Sequence, residues 1–478
     1  MMSIQDLKPA GLWHYFYQLT QIPRPSHQET AVQDFVLAEA ARLGLWAERD
    51  AAGNVLVRKA ASAGKEQVKG VILQSHLDMV AQKNQDSSHD FSRDPIQAYI
   101  DGEWVKARGT TLGADNGIGA AAALAILADN SLSHGPIEAL FTATEETGMD
   151  GAKGLQGGWL QGDYLLNLDS EELGEICIGC AGGVDGSFSL PLAFAPNTQA
   201  GFQLQVRGLK GGHSGIDIHK QRGNAIKILL RLLRKLSDNI QIAEVGGGSL
   251  RNAIAREAQA VFASALSQAQ LQAQIDELIP AIKRALAADE QTLRIELSPV
   301  AQPAQVWTTA TQENLLRTLY LCPNGVDRMS MAVAGLVETS TNLAKISCEH
   351  DQLQVHCLLR SLDDAARDDL AERMADLFRL AGGSAVLSGT YPGWQPAPSS
   401  AISDVLSREG EKLLGKTPLI TVIHAGLECG LLAQYYPHWQ MASFGPTIEM
   451  PHSPDERVHI ESVAQFWQWL VNTLAAVE

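Results

Sequence analysis

Five carboxylates and two imidazoles in this chain stand in short polar segments beside apolar runs. His76 and Asp78 follow the run at 71–75, Glu145 and Glu146 follow the run at 137–144, and Asp169 closes the run that begins at Tyr164. Asp115 lies in Gly113-Ala-Asp-Asn-Gly117, ahead of an alanine-rich stretch, and His452 lies in Met450-Pro-His-Ser-Pro-Asp455. Imidazole and carboxylate are the ligands zinc takes when it keeps a position open for water, whereas all-cysteine sites are usually structural. A carboxylate between two ions can bridge them at the ~3.5–4 Å separation of two-metal hydrolases. Asp115 is the natural bridge, with His76, Asp169, His452 and one of the paired glutamates around it. The other glutamate can then face the bound water as general base. Asp78, two residues from His76, falls on the same side if the strand continues, where it can accept the second imidazole N–H and orient the ring.

Taken singly, each piece has an ordinary reading. A His-x-Asp is common by chance, a Glu pair before Gly is a turn feature, and the segment around Asp115 reads as a turn with an N-cap. The ordered series HLD, GADNG, TEETG, NLDSE and PHSP needs all those readings to hold together. It also recurs at strand ends, where ligand sites of open α/β sheets form.

The elements that must hold these residues are short. Apolar runs at 71–75, 137–144 and 164–168 predict buried strands, and the alanine-rich stretch after Asn116 predicts a helix. Residues 29–43 repeat apolar side chains at helical spacing up to Gly44. Strands alternating with helices imply an α/β fold with a sheet flanked by helices. Beyond the Gly-rich segment 181–186 the pattern changes to alternating strands (202–206, 354–358) and two long amphipathic helices near 221–237 and 364–381. A Pro- and Gly-rich passage at 389–398 marks the next boundary. The expected organisation is a catalytic domain in two parts, 1–186 and 391–478, interrupted by an inserted α+β domain at 187–390.

Composition narrows the function. At 478 residues the chain exceeds one ordinary core, and 45% hydrophobic with 19% charged residues is a globular balance. A net charge of −17 argues against nucleic acid or an anionic membrane as partner. The basic stretch 231–235 falls in an apolar-periodic segment and reads as a solvated helix face. Six scattered cysteines give no disulfide framework, no basic segment followed by an apolar run opens the chain, and the run at 117–128 is short of the ~20 residues that span a bilayer. The expected location is cytoplasmic.

The series resembles the co-catalytic zinc peptidases that include aminoacylases and dipeptidases, over nearly the whole chain. It is carried by Gln74-Ser-His-Leu-Asp-Met-Val80, Thr111-Leu-Gly-Ala-Asp-Asn-Gly117, Ala143-Thr-Glu-Glu-Thr-Gly148 and Asn167-Leu-Asp-Ser-Glu171. Gly211-Gly-His-Ser-Gly215, His424-Ala-Gly-Leu-Glu-Cys-Gly430, Gly445-Pro-Thr447 and Pro451-His-Ser453 extend it, with no departure at a metal or base position. The resemblance implies a zinc-exopeptidase-like catalytic domain whose inserted domain serves as lid and dimerisation element. It implies two zinc ions per subunit, with manganese or cobalt as alternatives. Asp115 would bridge them, His76 and Asp169 would complete one site, and Glu146 and His452 the other. Glu145 would be the general base for a metal-bridging hydroxide, and Asp78 the orienting carboxylate. His213 would reach the active site of the partner in a homodimer, and Arg360 would hold the substrate's terminal carboxylate. His424, Glu428 and the 445–447 turn would line the pocket. The implied substrates are dipeptides with a free N-terminus, Xaa-His dipeptides among them.

Three rivals are weighed against this. A deacylase, desuccinylase or tripeptidase of the same fold would keep the metals and base. Cys177 and Cys180 could form a redox or metal motif, but no second cysteine pair completes a four-cysteine site. A catalytically dead binding module conflicts with an intact set of ligands and base.

Overall fold

The computed structural model describes residues 3–478 except Gln85, Ala287, Asp289, Ala332, Ala334 and Pro398. Pro398, the end of the 389–398 passage, therefore lies outside the described residues. The chain divides into two compact units. One comprises Met1–Cys180, Trp394–Val422 and Leu427–Glu478, the other Ala181–Gly393 and Ile423–Gly426.

The first unit is built on an eight-stranded mixed sheet. Its order is Trp46–Arg49, Val55–Lys59, Ile137–Thr142, Val71–His76, Tyr164–Asn167, Gln440–Ser443, Glu175–Cys180, Leu419–Ile423. The four strands from Ile137–Thr142 to Gln440–Ser443 run parallel. Parallel strands are covered on both faces, which is why they read as unbroken apolar runs; every residue of Val71–His76 and Ile137–Thr142 is buried. Register brings their carboxyl ends level, with His76 opposite Thr142, Gln74 opposite Asn167, and Asn167 opposite Ser443. The helix Ala114–Ala128 packs between the helix Ala10–Thr20 and the sheet. Only small residues allow that approach: a Cβ on Gly119 would come within 2.5 Å of Leu168 O. Lys59 Nζ closes the far end of this helix on the carbonyls of Ile126 (2.8 Å) and Asp129 (2.7 Å). Trp13, Phe16, Phe444, Phe466 and Trp469 fill the core.

The second unit carries a nine-stranded sheet paired antiparallel throughout. The order is Arg294–Val300, Ala200–Arg207, Ala258–Ser264, Gln241–Gly247, Val337–Glu349, Gln352–Ser361, Gly182–Pro191, Ser384–Tyr391, with Gly325–Met329 on Val337–Glu349. Here burial alternates along a strand, as in Gly182–Pro191. The helix Ala225–Leu236 buries Ile226, Leu229, Leu230 and Leu233 and leaves Arg234 and Lys235 exposed. Asn224 caps it by accepting the Ile226 and Lys227 N–H groups.

Two local expectations change. The strand before Asp78 stops at His76 instead of continuing, and Cys177 and Cys180, the pair weighed as a redox or metal motif, are buried thiols within the strand Glu175–Cys180. No helix among the described residues is long and apolar enough to cross a membrane.

Candidate metal centre

The ends of the parallel strands gather the predicted ligands of the first unit. His76 Nε2 stands 3.2 Å from Asp115 Oδ1 and 3.5 Å from Asp169 Oδ1. His452 Nε2 stands 3.0 Å from the other oxygen of Asp115, Oδ2, and 3.0 Å from Glu146 Oε2. Asp115 thus turns one oxygen to each imidazole, and the five residues form two groups that share it. His76, Asp115 and Glu146 each offer a ligand atom within 4.8 Å of the others.

The loops reach this arrangement through unusual backbone. Asp115 (φ −79°, ψ 111°) breaks the helical path inside Ala114–Ala128, after Gly113 at φ 69°. Thr144 (φ 56°) and His452 (φ 59°) occupy the left-handed region that side chains other than glycine rarely adopt. Such conformations persist where the surroundings over-determine them. Thr144 is anchored through Oγ1 on Glu29 Oε1 at 2.8 Å.

Asp78 reaches His76 from the loop. Its Oδ1 is 3.3 Å from His76 Nδ1, and its carboxylate also accepts Ser26 Oγ–H (2.8 Å) and the N–H groups of Glu145 (3.0 Å) and Glu146 (3.1 Å). Asp78 therefore fixes both an imidazole, whose Nδ1 also lies 3.2 Å from Asp78 O, and the paired glutamates. Burial opposes its charge, but the contacts with His76, Ser26 and Glu145 N–H prevail and lower its pKa to about 2.

The electrostatics of the group call for positive charge. Burial and the neighbouring carboxylates push Asp169 up to about 6 and raise Glu146. Asp115 and Glu146 drive His452 up to about 11 by hydrogen bonds. Glu146 Oε1 is buried with no hydrogen-bond partner among the described residues, and Asp169 Oδ1 has only the 3.5 Å contact with His76 Nε2. Unpaired buried carboxylate oxygens are costly unless a cation meets them, and this mixed imidazole and carboxylate set fits zinc, manganese or cobalt. Glu145 is raised well above the usual carboxylate range by burial, with Asp169, Glu146 and Glu428 adding to it.

Glu428 borders this cluster, 1% exposed, accepting Gln74 Nε2–H at 2.7 Å and Thr142 Oγ1–H at 2.6 Å. Burial pushes it up to about 8. Gln74 Oε1 accepts in turn from Asn167 Nδ2 at 2.5 Å, so a buried polar chain crosses the strand ends.

In the second unit, His213 Nδ1 accepts the N–H groups of Gly215 (3.2 Å) and Ile216 (3.1 Å), which puts the proton of the neutral ring on Nε2. Arg360 is 5% exposed; Nη1 donates to Tyr391 Oη at 2.7 Å, while Nε is buried without a hydrogen-bond partner among the described residues. His424 meets Ser340 Oγ through Nε2 at 2.7 Å, and its Nδ1 is buried without a hydrogen-bond partner among the described residues. Burial, Arg360 and His213 press its pKa down to about 3. Gly215 lies so close to His424 O that any Cβ there would collide.

Sequence reasoning missed several residues. Arg24 donates through Nη1 to Leu77 O (2.9 Å) and Asp78 O (3.0 Å), and through Nη2 to Gly113 O (2.5 Å). Glu456 binds the backbone before Asp115, and Tyr391 and Ser340 partner Arg360 and His424. The available signals were an arginine between two prolines (Pro23, Pro25) and an acid four residues after His452.

A mixed sheet with imidazoles and carboxylates clustered at its parallel strand ends defines a hydrolase of the zinc-exopeptidase fold. The chain belongs to Peptidase family M20/M25/M40, which it matches over residues 72–476. It is 47% identical to the cytosol non-specific dipeptidase of Escherichia coli (strain K12), covering 100% of this chain and 99% of that protein. The crystal structure of aminoacylhistidine dipeptidase from Vibrio alginolyticus superposes with a TM-score of 0.88 at 46% identity, over 100% of this chain and 98% of that one. A tripeptidase from Staphylococcus aureus shares the fold, with a TM-score of 0.58 at 17% identity over 98% of each chain.

Proposed function

We propose that the protein is a di-metal dipeptidase that cleaves dipeptides with a free N-terminus, Xaa-His dipeptides included. The observation that carries this reading is the shared Asp115: each oxygen faces a different imidazole, and each imidazole has its own second carboxylate. Likeness to two dipeptidases along the full chain supports the substrate class. His76, Asp115 and Asp169 would hold one ion and His452, Asp115 and Glu146 the other, with zinc the first expectation. When bound, such ions supply Lewis-acid polarisation of a carbonyl and lower the pKa of water.

The remaining steps fall to the chain's own residues. Glu145 takes the proton of the attacking water and returns it to the leaving amine. Asp78 keeps the His76 ring oriented through Nδ1. His213, with its proton on Nε2, donates to the developing oxyanion, and we assign it to the partner subunit's site in a homodimer. Arg360, with Nη1 held by Tyr391 and Nε without a hydrogen-bond partner among the described residues, binds the terminal carboxylate of the substrate. We place His424, Glu428 and the 445–447 turn around the substrate and the protein in the cytoplasm, following the same resemblance.

The test is product analysis on a panel of Xaa-His and β-Ala-His dipeptides, tripeptides and N-acyl amino acids, alongside metal content. Release of both amino acids from dipeptides is expected. Preferential release of acetate or succinate from acylated substrates would replace this reading with a deacylase.

A further inference from the structure

One buried carboxylate beside the site is not a candidate ligand. Glu456 is 2% exposed and accepts four consecutive backbone N–H groups. Oε2 takes those of Leu112 (2.7 Å) and Gly113 (2.9 Å); Oε1 takes those of Ala114 (2.8 Å) and Asp115 (3.2 Å). N–H groups at a helix start have no acceptor within the helix. Here a side chain far along the sequence supplies one, and its acceptor oxygens face the positive end of the helix dipole. Arg24 grips the same loop through Gly113 O at 2.5 Å.

The location matters more than the number of bonds. Asp115 departs from helical geometry, so the helix's own ladder does not fix it. Glu456 also belongs to the loop that supplies His452, and its own N–H donates to Ser453 O at 2.9 Å. Two loops are thus tied twice, once by the Glu456 clamp and once by His452 Nε2 on Asp115 Oδ2 at 3.0 Å.

We propose that Glu456 is the positioning residue for the bridging carboxylate. By clamping 112–115 it turns the two oxygens of Asp115 toward His76 and His452, and so sets affinity for both ions together. This rests on the two-metal reading above. The role needs an acceptor on both oxygens. In Glu456→Gln the amide NH2 must face two of the four N–H donors, although size is unchanged.

The experiment is a titration of the metal-free protein with Zn2+ against a chromophoric chelator, for wild type, Glu456→Gln, Glu456→Asp and Glu449→Gln. Glu449 pairs with Arg457 in the same region and serves as the control. Glu456→Gln should weaken both ions roughly 10- to 100-fold, the usual effect of losing an outer partner of a ligand. Its turnover should recover in excess Zn2+ with KM unchanged, which a general loss of structure would not allow. Glu456→Asp, still acceptor-only but shorter, should fall between Gln and wild type, and it carries the test if the Gln variant does not fold. Glu449→Gln should match wild type. Two ions bound by wild type, with Glu456→Gln or Glu456→Asp within twofold of it, would overturn the inference alone. A wild type that binds no ions would overturn the metal reading and this inference with it.

Discussion

The two units position their polar groups by different means. In the first, the candidate ligands leave fully buried parallel strands at the carboxyl ends and are held by loops, and the loops are held by side chains that bind backbone: Arg24, Asp78 and Glu456. In the second, Arg360 sits within the antiparallel strand Gln352–Ser361 and His213 at an isolated antiparallel bridge with Ala253, each with partners in its own unit. The difference teaches where tolerance lies. A strand-end cluster of like charges depends on many fixed contacts, while a strand-borne arginine depends on its own rotamer and on a hydroxyl.

The largest expected effect breaks the first region's chemistry and leaves its geometry. Glu145→Ala should lower kcat by roughly 10²–10⁴-fold, the range for a lost general base, with metal content unchanged; near-normal turnover would remove the base assignment. Next, His213→Ala and Glu145→Ala subunits, each inactive alone, should regain activity when mixed. Verified heterodimers without activity would place His213 in its own subunit or outside catalysis. Arg360→Lys keeps the charge but loses the planar fork, and should raise KM about tenfold with little change in kcat; an unchanged KM would point to a structural arginine.

The smallest effect concerns pH and the second region. His424 has a pKa of about 3 in the fold against an ordinary 6.5, so the unfolded chain binds its proton first. Its contribution to stability is complete above about 6.5 and is lost as pH falls toward 3. Thermal unfolding from pH 7 to 5 should therefore lose less stability in His424→Gln than in wild type. Parallel curves would show that the ring is not held neutral.

Much of the first region was readable from the chain. Parallel strands announce themselves as unbroken apolar runs, and ligands beyond them fall at fixed places: His76, Glu145 and Glu146 were found in this way. Asp169 stands two residues past the strand Tyr164–Asn167. The contact between Asp78 and His76 was expected along a continuing strand. It forms through a loop instead, because Arg24 holds the carbonyls of Leu77 and Asp78. Glu456 and Arg24 carried only faint signals, for a physical reason. They act on backbone N–H and C=O groups, which every residue carries, so no residue pattern marks their partners. The second region offered less, since antiparallel alternation specifies which face is buried and says little about which polar side chain works. His213, Arg360 and His424 entered through resemblance, and Tyr391 and Ser340 only through the structure.

The central claim is that one carboxylate joins two metal pockets, and counting ions tests it most directly. Equilibrium dialysis with Zn2+ followed by elemental analysis should give two ions per wild-type chain. In Asp115→Ala both should be lost or weakened together, since each imidazole loses the oxygen it faces. One ion retained at wild-type affinity in that variant would contradict the shared carboxylate.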